Sequence, residues 1–134
     1  MKRAEALRPL SRDHHVALGV ALRLRRCDAG GADAARERFT TFFAQDGERH
    51  FRKEEELLLP ELGGHPEEAD RLRRDHAALR EAAARLGAGS APVSDLHSVG
   101  ETLGAHVRWE ERELFPLLEG VIPPDRLKVI GESL

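Results

Sequence analysis

With 134 residues, 40% of them hydrophobic and 34% charged, the chain has the length and composition of one folded domain spanning 1–134, neither disordered nor membrane-spanning. A formal net charge of −3 argues against nucleic acid as the main partner, because phosphate binding draws on a basic surplus, and the single cysteine, Cys27, excludes an internal disulfide or a thiolate metal cluster. No apolar run approaches the ~20 residues that cross a bilayer, and the opening "MKRAEALRPL" lacks a signal segment, so a cytoplasmic location is expected.

Ala, Leu, Glu and Arg dominate while β-branched and aromatic residues are scarce, which predicts helix throughout. Helix A is expected over 11–28, with Leu10, His14, Ala17, Ala21 and Leu24 along one stripe. After "DAGGAD", helix B is expected over 33–61 with the stripe Phe39, Phe43, His50, Glu54 and Leu57. The "GGHP" turn leads to helix C, 67–87, with Leu72, His76, Leu79, Ala83 and Leu86. "GAGSAP" leads to helix D, 93–119, with Leu96, Val99, Leu103, His106, Glu110 and Leu117. Beyond it, "IPPDRLKVIGESL" is expected to form a short fifth helix from near Asp125. Four amphipathic helices with short turns make an all-α, up-down-up-down antiparallel four-helix bundle.

Each apolar stripe contains a histidine, and two also contain a glutamate. The pattern is written twice. "HFRKEEELLLP" from His50 and "HVRWEERELFP" from His106 share His, Arg at +2, Glu at +4 and +5, Leu at +8 and Pro at +10. "RDH" ends at His14 and again at His76, so the chain reads as two duplicated helix hairpins, A–B and C–D, related by a pseudo-two-fold axis. Residues four apart lie about 40° apart on one helix face, which points His50 with Glu54, and His106 with Glu110, into the bundle. Glu55 and Glu111, about 140° from their histidines, are expected at the rim. Counted from the turns at 1.5 Å per residue, the four histidines and two glutamates reach one layer.

No Lys or Arg shares those stripes at that layer, and two carboxylates buried without a basic partner would each cost several kcal/mol. Metal coordination offsets that cost. Four imidazoles and two carboxylates describe two metals bridged by Glu54 and Glu110, with His14, His50, His76 and His106 as caps; iron, manganese and zinc all suit such donors. His15 competes with its neighbour for one position, but the "RDH" alignment and the Leu10–Ala17–Ala21 stripe favour His14. His65, in a turn, and His97, about 13 Å along the helix from His106, fall off the layer. Phe39, Phe42 and Phe43 are candidates for the dry wall of a small-molecule pocket.

The pattern H…HxxxE…H…HxxxE, here His14, His50–Glu54, His76 and His106–Glu110, resembles the bacterial cation-binding form of the hemerythrin family and spans nearly the whole chain. The resemblance implies a non-haem di-iron centre, carboxylate- and oxo-bridged, that reacts with O2, H2O2 or NO in a monomer or weak homo-oligomer. Oxygen-carrying hemerythrins have a further histidine one turn along helix C and an aspartate at +5 in helix D. Here Arg80 and Glu110 stand instead, so two histidines per metal leave positions open for an exogenous ligand. The functions that follow are a redox protein with catalase- or peroxidase-like activity, or a module that stores iron or senses oxygen without turnover. A structural bundle with zinc or no redox metal is the third alternative.

Overall fold

The computed structural model describes residues 3–134, and every element among them is helical. Helix α1 (Arg8–Arg26) follows a single 3-10 turn, Glu5–Leu7, and has Pro9 in its first turn, where a missing N–H breaks no intrahelical bond. It ends at Cys27, whose backbone is extended. Helix B is built from α2 (Ala32–Phe42) and α3 (Glu48–Leu57), joined without a break by a π-helical turn, Phe43–Gly47. A 3-10 turn, Leu59–Leu62, places Pro60 past the end of α3, where it interrupts no helical bond. Helix α4 (Pro66–Gly87) starts on Pro66. Helix D consists of α5 (Val93–Trp109), a π-helical turn Glu110–Leu114, and α6 (Phe115–Val121). The expected fifth helix is α7 (Pro124–Glu132).

Helix α1 packs against α2 and α5, and α4 packs against the same two, so the four long helices close into a ring of neighbours. The α1–α5 approach is tight because Gly100 has no side chain: a Cβ there would lie 2.7 Å from the Ala21 carbonyl oxygen. Two apolar clusters fill the bundle. One gathers Leu24, Phe39, Leu79, Leu86, Leu96 and Leu103; the other gathers Leu10, Leu58, Leu72, Leu114, Phe115 and Leu118 and is closed off by α7. On α1 and on α4 alike, a histidine separates the residues of one cluster from those of the other.

The stripes hold on α1 and shift elsewhere. Leu118, not Leu117, is fully buried on helix D; Leu58, not Leu57, on helix B; and Ala82 lies deeper than Ala83 on α4. On helix D the cause is the π turn. The Phe115 N–H donates to the Glu110 carbonyl five residues back, so that turn carries one extra residue and the buried face moves one position along. Pro116, which has no N–H to donate to the preceding turn, sits just beyond the widening. On helix B the Glu48 N–H donates to Phe43 in the same way, and Phe42 is buried more deeply than Phe43. Gly47 permits that turn to pack, since a Cβ there would lie 2.9 Å from the Phe43 ring.

Candidate metal centre

Six polar side chains occupy the layer between the two apolar clusters: His14, His50, His76, His106, Glu54 and Glu110, none more than 5% exposed. They come from all four long helices. Their donor atoms form two groups, His14–His50–Glu54–Glu110 and His76–His106–Glu54–Glu110, with the atoms of each group within 4.8 Å of one another. Both glutamates belong to both groups. Glu110 Oε1 lies 2.7 Å from His14 Nε2, 3.8 Å from His50 Nε2 and 3.5 Å from His106 Nε2. Glu54 lies 3.2 Å from His50 Nε2 and 3.0 Å from His76 Nε2.

The outward nitrogen of every ring is held by a carboxylate from a neighbouring helix. Glu111 accepts from His14 Nδ1 at 2.6 Å, Asp13 from His50 at 3.0 Å, Glu55 from His76 at 2.7 Å and Asp75 from His106 at 2.9 Å. The pseudo-two-fold relation is explicit here: each "RDH" aspartate holds the histidine of the following helix, and the second glutamate of each pair holds the histidine of α1 or α4. Glu55 and Glu111 stand at the rim, as expected, with side chains 27% and 30% exposed, and from there each holds a ring of another helix. A side chain 140° from its own helix's histidine still reaches the ring presented by the next helix. The repetition of "RDH" and of the paired glutamates was the signal for these four carboxylates.

With Nδ1 committed outward, each imidazole turns Nε2 toward the centre, the nitrogen left to ligate a metal once it is deprotonated. The interior polar atoms are correspondingly unmatched. Nε2 of His14, His50 and His106, Oε2 of Glu54 and both carboxylate oxygens of Glu110 are buried without a hydrogen-bond partner, although His14 and Glu110 are close. Atoms at contact distance but out of hydrogen-bonding direction fit donors aimed at a common third point. Nitrogen and oxygen donors in this proportion fit borderline divalent and trivalent metals, and the orphaned buried groups are what such a cation would satisfy.

The electrostatics agree. Burial pulls the His14 pKa down, yet the Glu110 and Glu111 carboxylates outweigh it and hold it up to about 9. Burial likewise opposes protonation of His50 and His106, and the carboxylates around them, Glu54 and Asp13 for the first and Glu110 and Asp75 for the second, raise both. Burial acts to raise the Glu110 pKa, but the His106, His14 and His50 rings drive it well below the ordinary carboxylate value. The carboxylates around the layer thus favour positive charge on His14, His50 and His106 against the cost of burial.

His14 faces the layer and His15 is exposed, His65 is in its turn, and His97 contacts the Cys27 carbonyl away from the centre. Replacing His14 by alanine should therefore strip metal far more completely than the same change at His15. Metal content after dialysis checks this, and equal losses would contradict the register. Beside the layer lies a narrow apolar cavity lined by Phe39, Phe42, Phe43, Leu79 and Leu103, which reaches His14, His50 and His106. Its free volume is about 20 Å³.

The family model of the hemerythrin HHE cation-binding domain matches residues 6–118. Comparison with curated proteins and with solved structures found no match.

Proposed function

Because the chain belongs to the hemerythrin HHE cation-binding family, we propose that His14, His50, His76, His106, Glu54 and Glu110 hold two iron ions, and that the pair disproportionates hydrogen peroxide. The observation that carries this is the sharing of Glu54 and Glu110 between two groups that each contain two histidines. Bound there, iron would supply Lewis acidity and one-electron redox steps.

The protein's own part is to fix donors and restrict access. Asp13, Glu55, Asp75 and Glu111 orient the rings. Phenylalanines line the approach, and a cavity of about 20 Å³ suits a molecule the size of water, a diatomic gas or peroxide, since one water needs roughly 10–15 Å³. Asp13 and Asp46 line it on the side where it nears solvent. Arg80, four residues after His76, is permanently charged and committed to Glu48 and Glu55, so it provides no fifth imidazole. Two histidines per ion leave room for an exogenous ligand, which favours peroxide consumption over reversible oxygen carriage. Among the described residues no helix is long and apolar enough to cross a membrane.

Iron-loaded protein should show visible charge-transfer bands that change on adding peroxide, and should evolve one O2 for every two H2O2 consumed. A stable, reversible O2 adduct with peroxide left untouched would contradict turnover. A colourless protein with stoichiometric zinc would contradict iron.

A further inference from the structure

Behind two of the four histidines stands the same constellation, assembled from unrelated positions. Arg80 donates to Glu55 through Nη1 at 2.7 Å and Nη2 at 3.0 Å, and Glu55 holds His76 Nδ1. The same guanidinium lies 5.8 Å from the centre of the Phe51 ring, which stacks on the His76 imidazole at 3.9 Å and 10°. Arg80 is itself fixed by Glu48 through Nε at 2.9 Å and Nη2 at 2.9 Å. On the other side Ser11 donates to both carboxylate oxygens of Glu111 at 3.1 and 2.9 Å, and Arg3 lies 3.5 Å from that carboxylate, which holds His14 Nδ1, and donates to the Glu111 backbone carbonyl at 2.6 Å. Its guanidinium lies 5.3 Å from the centre of Phe115, which stacks on His14 at 5.3 Å and 12°. Arg3 in turn is fixed by Glu119 at 2.8 Å.

Only part of this is inherited from the duplication. His14 and His76 correspond, as do Glu111 and Glu55. The duplicate of Arg80 on α1, however, is Leu18, four residues after His14, and the duplicates of Phe51 and Phe115 in the "HxxxE" repeat are Val107 and Leu59. Arg3 comes from the segment before α1. Duplication does not require these arginines and rings. A comparable support stands on both sides, built from different residues: a two-pronged arginine on Glu55, and Ser11 together with Arg3 on Glu111.

We propose that Arg80 and Arg3 are paired positioning residues, each fixing one histidine of one metal position by holding both the carboxylate on its Nδ1 and the aromatic ring on its face. The proposal rests on the two-metal reading above. Neither arginine touches a donor atom of the centre. Arg80 keeps Glu55 from swinging to solvent, Arg3 shares that part on Glu111 with Ser11, and each imidazole is left one orientation. A consequence is separability: Arg80 governs the position containing His76 and His106, and Arg3 the position containing His14 and His50.

The test is cobalt(II) titration of chelator-stripped protein, followed by visible absorption and calorimetry, for the wild type, Arg80→Gln, Arg3→Gln, the double variant, Arg80→Lys and Arg85→Gln. The wild type should take two equivalents. Each single glutamine variant should retain one tight equivalent and bind the second about 10–100-fold more weakly, the usual effect of removing an outer partner of a ligand. The double variant should retain no tight equivalent. Arg80→Lys should recover part of the loss, because an ammonium replaces the charge but not the two-pronged contact. Arg85 also bridges two carboxylates, Glu81 and Asp95, but far from the layer, and its replacement should leave both equivalents intact. Two undiminished equivalents in Arg80→Gln or Arg3→Gln would overturn the proposal, as would weakening in Arg85→Gln equal to theirs. A wild type that binds no metal pair would overturn both this proposal and the two-metal reading; a wild type that binds two with unaffected variants overturns this proposal alone.

Discussion

Replacing Glu110 by alanine should abolish binding of the metal pair, and Glu54→Ala should do the same with a somewhat smaller effect. Each carboxylate belongs to both donor groups, so its removal takes a ligand from each position at once. The loss per metal should exceed the 10–100-fold typical of an outer partner. Glu110 lies against the inner nitrogens of three histidines and Glu54 against two, which ranks the variants. Without metal the Glu110 variant should also be less stable, since breaking a buried ion pair by removing one partner costs about 3–5 kcal/mol. Metal content and thermal melting of stripped and reloaded variants check both statements. Two metals retained in either variant would show that the bridge is misplaced.

Exhaustive chelation should lower the melting temperature, and the size of the drop should depend on pH in a direction fixed by the layer. In the metal-free protein the raised pKa values of His14, His50 and His106 contribute stability that is fully present below the ordinary value of 6.5 and lost as pH rises through the folded values, about 9 for His14. For His14 alone that is about 3 kcal/mol. The depressed carboxylates Asp13, Glu55, Glu110 and Glu111 contribute stability that is present above their ordinary values of 3.8 to 4.5 and lost as pH falls through the folded ones. The stripped protein should therefore be most stable between about pH 4.5 and 6.5 and weaken toward pH 9. Metal competes with protons for the same imidazoles, so its stabilisation should grow over that interval. Melting at pH 6 and pH 9, with and without chelator, separates the two trends. Stripped and loaded forms of equal stability at both pH values would contradict a metal role for the layer.

The helices were legible because glycine–proline punctuation and a 3.6-residue stripe agree at every turn, and the inner donors because each histidine interrupts such a stripe. Neither π turn was legible: a five-residue hydrogen bond leaves no mark in propensity, and only the buried Leu118 in place of Leu117 reveals it on helix D. Glu55 and Glu111 stand at the rim as expected, but their hold on His76 and His14 was not legible, because a helical wheel describes one helix and their partners are on others. Arg3 was invisible for the same reason. It lies more than 100 residues in sequence from Glu111 and Glu119, and nothing periodic connects them.

The central claim is that six side chains hold two metals in one layer, and anomalous diffraction at the iron edge from crystals of the iron-loaded protein tests it most directly. Two peaks are expected per chain, one beside Nε2 of His14 and His50, one beside Nε2 of His76 and His106, with the carboxylates of Glu54 and Glu110 between them. A single peak, or peaks away from these residues, would contradict it.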